Sequence, residues 1–375
     1  MKLEIIGMIG AVREGTGSKG AEVHVIGGGI DKDYISDFAM IHETSGFDKV
    51  LVGYTSSSAD GFIVAMHAAA ETSNLGFLVA HRPGFVSPTV LSRKAATIDQ
   101  ITQGRIALHI ISGGGDVEQR RDGDFLDHDA RYRRSGEFMN ILKNLWAAED
   151  PIDHKGEFYQ FEQAKSDFSC FQKPHIPLYF GGASEVALTV GAKECDVYAM
   201  WGEPLKEVEK KMTYFTDKVK ALGRDPKSIR FSVSTRPIVA NTEAEAWDIA
   251  HHTLKNVLAT NQTSMHGTGK ERLESTGSQR LVDFAKDGEV LDDRLYMPIA
   301  TATGGAGNTT ALVGTAEQVA DSLMKYYELG CTTLLIRGFD AYNDAAYWGK
   351  ELIPLLKESV ERYHKTHPVT GKHLS

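Results

Sequence analysis

The sequence predicts a (β/α)8 TIM barrel, and three observations carry that expectation. Short apolar runs recur along the 375 residues, each followed by a longer amphipathic segment. Several runs are apolar at nearly every position, the pattern of parallel strands buried on both faces. Eight such units in a chain of this length suit one barrel. An open doubly wound sheet has the same periodicity and stands as the alternative.

The expected strands are 3–8 (LEIIGM), 49–53 (KVLVG), 76–81 (GFLVAH) and 106–111 (IALHII), then 177–180, 196–200, 230–236 (RFSVSTR) and 332–337 (TTLLIR). Between them, helices are expected near 33–45, 60–72, 130–148, 184–194, 204–222, 242–258 and 343–364. Ser87-Pro88 fits an N-cap followed by proline at the first helical position, and Gly104 fits the end of that helix. Within 184–194, Val186, Ala187, Val190 and Gly191 share one face. Thr315 and Gln318 form a capping-box pair ahead of Val319, Leu323 and Tyr326. Two segments break the repeat. Residues 150–176 form a long connection with irregular aromatics, and residues 259–313 are polar and then glycine-rich. Long loops of this kind serve as lids. The expectation is one barrel domain over residues 1–375, with the later insertion closing the active site.

Composition narrows the function. Hydrophobic residues at 42% and charged residues at 24% exclude a mainly disordered chain. Lysine plus arginine number 41 against 50 acidic residues, and the net charge of −9 argues against gripping nucleic acid or an anionic membrane. Cys170, Cys195 and Cys331 are far apart with no CxxC spacing, which suits a reducing cytoplasm. No run approaches the roughly 18 apolar residues of a membrane span, and the N-terminus lacks the pattern of a signal peptide. A soluble cytoplasmic protein is expected.

The glycine clusters Gly27-Gly28-Gly29 and Gly113-Gly114-Gly115 do not form a GxGxxG fingerprint, and no phosphate-binding P-loop is present. The second cluster follows the fourth strand, on what would be the catalytic face of a barrel; a flexible turn is the simpler reading. Phe180-Gly181-Gly182-Ala183-Ser184-Glu185 is sharper. There a strand ends, two glycines allow close approach, and a helix opens with free N–H groups, which together can hold a phosphate. The same residues also suit a plain βα turn. In Asp127–Arg134, Asp129 is a sensible N-cap, and His128 and Tyr132 lie four apart on one helix face. Trp201 follows the sixth strand, where it either walls a flat ligand or packs under a loop. No HExxH, facial-triad or GxSxG spacing occurs, so no metal is expected.

Five segments together resemble a known family: 79–99 (VAHRPGFVSPTVLSRKAATID), 127–138 (DHDARYRRSGEF), 178–187 (LYFGGASEVA), 200–204 (MWGEP) and 304–314 (GGAGNTTALVG). They resemble the reduced-FMN-dependent alkanesulfonate monooxygenases of the bacterial luciferase-like superfamily, over residues 3 to 360 and in the same order. The resemblance implies a luciferase-like TIM barrel that uses FMNH2 made by a separate NAD(P)H-dependent flavin reductase. With O2 it would oxidise an alkanesulfonate or related organosulfur compound to an aldehyde and sulfite. Relatives are homodimers or homotetramers.

Carried over by position, Gly182, Ala183 and Ser184 would hold the FMN phosphate, and Ala80, His109, Ser112 and Tyr132 would surround the flavin. Trp201 would line the substrate pocket. Ser58 falls where the sulfonate enzymes carry a cysteine near the reacting oxygen. Other positions depart from the pattern. Ser234 and Arg236 stand where the family has an arginine and a histidine, Thr303 replaces an arginine, and Phe339 replaces a tyrosine. That leaves Arg236, Ser58 and His81 as the catalytic candidates, with Arg236, Trp201 and Phe339 at the substrate; Arg337 joins them if it points inward. A relative using the deazaflavin F420, or a non-catalytic flavin-binding barrel, would share the same fold.

Overall fold

A computed structural model of the protein describes residues 2–13, 28–259, 275–305 and 307–367. In chain order the strands are β1 (Glu4–Ile9), β2 (Lys49–Val52), β3 (Gly76–His81), β4 (Ile106–Ile110), β5 (Ile152–Lys155), β6 (Gln160–Ala164) and β7 (Leu178–Gly181). They continue as β8 (Val197–Trp201), β9 (Arg230–Val239), β10 (Val290–Leu291), β11 (Leu295–Tyr296), β12 (Ala311–Gly314) and β13 (Thr333–Ile336). Eight of them run β9-β13-β1-β2-β3-β4-β7-β8, and β8 pairs back onto β9. Every pairing round this ring is parallel. An open sheet cannot pair its two ends, so the doubly wound alternative is overturned and the fold is a closed α/β TIM barrel.

Alternate residues point inward. Ile6, Leu51, Leu78, Ala107, Tyr179, Val197 and Leu335 meet inside the barrel, while a larger apolar layer fills the space between strands and helices. At the N-terminal end, Glu4 takes hydrogen bonds from Lys49, Tyr179 and Thr333. Burial works to raise its pKa, but Lys49 and Arg230 outweigh it and bring it down to about 2. This knot ties five strands, β1, β2, β7, β9 and β13, at the face that a barrel uses for stability rather than chemistry.

The helix ends follow the expected chemistry with one exception. Pro88 opens the helix Pro88–Ile101 with Ser87 at the N-cap, and the Thr315–Gln318 capping box forms in full. For the helix His128–Ala147 the cap is Asp127, whose side chain accepts from the Ala130 N–H at 2.8 Å. Asp129, the expected cap, instead bonds His128 Nδ1 at 2.7 Å. The cap lies two residues earlier than the sequence reading placed it.

Both interruptions contain structure. Residues 152–164 form the antiparallel hairpin β5–β6. In the later insertion, β9 leaves the barrel at Arg236 and pairs in parallel with β12, and β11 and β10 extend that sheet. The helix Thr276–Phe284 also lies here. Residues 260–274 and 306 of the expected lid, and Gly27 of the first glycine cluster, fall outside the described residues. Among the described residues, no helix is long and apolar enough to cross a membrane.

Candidate active site

The C-terminal ends of the barrel strands open into a cavity of about 410 Å³, a size typical of small-molecule sites. Inward alternation decides what reaches it. Leu51 and Gly53 from β2, Ala80 and Arg82 from β3, and His109 and Ile111 from β4 all line it. From the far side come Ala199 and Trp201 of β8, Ser232 and Ser234 of β9, and Leu335 and Arg337 of β13.

The turn after β7 has the shape of a cradle. A Cβ on Gly181 would sit 2.8 Å from the Ala199 carbonyl oxygen. Gly182 has φ +152°, and a Cβ there would lie 2.6 Å from Ala187 Cβ and 2.9 Å from the Tyr132 hydroxyl. Only glycines keep this backbone close to the helix Glu185–Glu194, whose N-cap is Ser184. The Ser184 hydroxyl accepts from the Ala187 N–H at a long 3.4 Å. Remaining N–H groups of the first helical turn have no partner within the helix. Gly182, Ala183 and Ser184 all face the cavity.

Beside the cradle stand His109, Ser112 and Tyr132, also on the cavity wall. Burial pulls the His109 pKa down to about 4, so the ring is neutral at neutral pH, and its Nδ1 is sealed from solvent without a hydrogen bond. The Ser112 hydroxyl meets Ser135 Oγ at 2.8 Å. Tyr132 packs edge-on to Phe180 and 4.8 Å from the His128 ring, and burial raises its pKa to about 12.

Two buried ion-pair networks flank the cavity. Arg82 bonds Glu118 at 2.6 Å and Asp122 at 3.3 Å. On the other side Glu203 accepts from Arg280 at 2.6 and 3.1 Å and from Lys211. Burial acts to raise the Glu203 pKa, and the contacts with Arg280 and Lys211 outweigh it and hold it below the usual carboxylate range. Arg280 belongs to the helix Thr276–Phe284, whose Gly277 packs against Trp201: a Cβ there would be 3.0 Å from the indole. This helix is thereby held with its first turn, Ser275–Ser278, on the cavity wall. Neither network stands out in sequence, because the partners come from distant elements.

The structure gathers eight of the expected residues at the cavity: Ala80, His109, Ser112, Tyr132, Gly182, Ala183, Ser184 and Trp201. Four others lie elsewhere, and each corrects the reading of the sequence. His81 is one residue past Ala80, so it points out of the barrel, stacked on Phe138 and edge-on to Phe62. Ser58 exchanges hydrogen bonds with Thr55 within its own turn, its hydroxyl 3.0 Å from both Thr55 N and O. Arg236 is fully buried where β9 leaves the barrel, donating to Asn308 O at 3.1 Å and to Gly338 O, with its guanidinium over the Phe339 ring. Phe339 lies beneath it in a separate apolar cluster. Asn308, at φ +52°, was missed; its amide donates to Ser234 O and Oγ at 2.6 and 2.9 Å and fixes the turn beside the cavity.

Comparison with known proteins agrees with this architecture. Riboflavin lyase, solved with modified FMN and its substrate riboflavin, superposes with a TM-score of 0.74 at 19% identity, covering 96% of this chain and 92% of that one. DmoA from Hyphomicrobium sulfonivorans gives 0.74 at 16%, covering 96% and 89%. An F420-dependent secondary alcohol dehydrogenase in complex with an F420–acetone adduct gives 0.66 at 16%, covering 95% and 99%. At such identities the likeness is one of fold. A family model reaches further, because luciferase-like monooxygenase matches residues 9–333. With most of the chain inside that match, the protein belongs to the luciferase-like monooxygenase family.

Proposed function

We propose that this protein is the oxygenase component of a two-component monooxygenase. It would take reduced FMN from a separate reductase and use O2 to oxidise a small organic substrate of the organosulfur class, alkanesulfonates included. The observation that carries the proposal is the Gly182–Ser184 cradle, where Gly181 and Gly182 leave no room for a Cβ and the helix start faces the cavity. A flavin fits these residues. The helix start and the Ser184 hydroxyl suit its phosphate, and the orphaned His109 Nδ1 suits a polar edge of a ring lying along Ala80 and Ser112. Bound reduced FMN would supply the electrons that activate O2.

The chain's own contribution is orientation and exclusion of water. Ser184 anchors one end, and neutral His109 offers a hydrogen bond without a proton to lose or a charge to repel the donor. Trp201 and the clamped helix Thr276–Phe284 close the mouth, which strengthens each polar contact inside.

Oxygen consumption by the protein with chemically reduced FMN, over a panel of sulfonates, sulfones and neutral thioethers, tests the reading. Substrate-dependent uptake with sulfite or another oxidised product above the free-flavin background supports it. Uptake equal to that background across the panel contradicts it, and a spectral shift with F420 but none with FMN reassigns the cofactor. Ser184→Ala is expected to weaken FMN binding by about 1 kcal/mol, roughly fivefold, measured by calorimetric titration. An unchanged affinity would put the phosphate elsewhere.

A further inference from the structure

Arg337 directly follows the last barrel strand and lines the cavity. It differs from the other cations there. Arg82 is held by Glu118 and Asp122, and Lys211 by Glu203. Among the described residues, no carboxylate comes within ion-pair reach of Arg337. Its Nε is buried without a hydrogen bond, and Nη1 meets only the thioether sulfur of Met8, at 3.2 Å. Burial lowers its pKa only to about 10, so the guanidinium is charged at neutral pH. A half-buried charge with no counter-ion in reach is poorly compensated, since water in the cavity offsets only part of its desolvation.

The surroundings of Arg337 say which ligand would answer it. The cradle and the wall assigned to the flavin come from β3, β4 and β7. Arg337 comes from β13, on the other side of the cavity, beside β9 with its Ser232 and Ser234. Asn308 closes that side and holds the Ser234 hydroxyl at 2.9 Å. Arg236, the other arginine of the region, is already committed to two backbone carbonyls and the Phe339 ring.

We infer that Arg337 is the specificity-determining residue of the substrate side, where it takes the oxyanion head group of an organic substrate, sulfonate or carboxylate, with Ser232 and Ser234 beside it. The planar guanidinium presents paired donors that match such a head group. The inference rests on the flavin occupying the β3–β4–β7 side, as proposed above. It also accounts for the serine, threonine and phenylalanine at Ser234, Thr303 and Phe339: the cation is supplied from the end of β13 instead.

Calorimetric titration of 1-octanesulfonate, octanoate and 1-octanol into the protein, with and without FMN, tests this. At least one anion is expected to bind about tenfold or more tighter than the alcohol, and the better anion identifies the head group. Arg337→Met should abolish that preference while changing the FMN dissociation constant by less than about twofold. Arg337→Lys should keep part of the preference, which preserves the test if the methionine variant does not fold. Equal affinity for anions and alcohol in the unaltered protein would overturn the inference. So would loss of FMN affinity in step with anion affinity, because the arginine would then belong to the cofactor site. If FMN fails to bind but flavin-free protein still selects anions through Arg337, the flavin placement falls and the arginine assignment stands.

Discussion

Lowering the pH from 7.5 to 5 is expected to remove about 6 kcal/mol of the protein's stability. Two histidines are buried and a third is half-buried on the cavity wall, all in settings that disfavour taking up a proton. Burial lowers His42 to about 4, its ring lying between Phe38 and Phe47 under Gly7. His81 falls to about 3, chiefly by burial between Phe62 and Phe138 and further through Lys94. Burial also takes His109 to about 4. In the unfolded chain each titrates near 6.5. Above that value neither state binds the proton, and the native fold keeps its full stability. As the pH falls from 6.5 toward 4, the unfolded chain gains protons that the folded one refuses. Each histidine then costs about 1.4 kcal/mol per pH unit, so three together cost about 4 kcal/mol per unit. A total stability of roughly 5–15 kcal/mol does not survive that for long. Thermal melts followed by circular dichroism should show a melting temperature dropping steeply between pH 6.5 and 5. His81→Phe should flatten the slope by about a third, since its Nε2 is buried with no partner to lose. A melting temperature flat over this range would contradict the assignment of neutral buried histidines.

Glu203→Ala is the second change with a large expected effect. The carboxylate is 1% exposed and neutralises two cations at once, Lys211 from the helix Leu205–Ala221 and Arg280 from the insertion. Removing it leaves Lys211 with only the weaker attraction of Glu207, and breaking a buried pair from one side costs about 3–5 kcal/mol. Arg280 is partly exposed, so water offsets some of its loss and the lower end is expected. The effect is also local. Without the clamp, the helix Thr276–Phe284 separates from Trp201 and opens the cavity. Urea unfolding should show about 3 kcal/mol of destabilisation, and the indole emission should shift to the red before global unfolding begins. Glu203→Gln, which retains hydrogen-bond acceptance, should lose less. A destabilisation under about 1 kcal/mol would show that the network is solvated and holds nothing shut.

Much of the barrel was legible because its strands are buried on both faces, so several appear as nearly continuous apolar runs such as EIIGMI and GFLVAH. The hairpin β5–β6 was not: its strands QFEQA and IDHK are largely polar and carry neither period. β12 hid at the end of a glycine-rich segment because ALVG is too short to stand apart. Within the site, the Gly181–Gly182–Ser184 turn was readable from spacing alone, since close approach and a helix start leave few other residues possible. Misplaced residues have local causes. Alternation along β3 puts Ala80 inside and His81 outside, a distinction of one position. Arg236 has the inward parity of Ser232 and Ser234, but β9 departs from the barrel at that residue to pair with β12. That departure depends on the later insertion, which no local pattern announces. Arg337 keeps the inward parity of Leu335 and stays within the barrel, which is why it reaches the cavity and Arg236 does not.

The proposed site puts FMN on the β3–β4–β7 side of the cavity with its phosphate on the Gly182–Ser184 cradle. A crystal structure of the protein with FMN tests it most directly. Phosphate oxygens are expected within hydrogen-bond distance of Ser184 Oγ and the first backbone N–H groups of the helix Glu185–Glu194. The ring is expected against Ala80, His109 and Ser112, with Arg337 free on the opposite wall. A phosphate bound to Arg337, or a flavin seated outside this cavity, would contradict it.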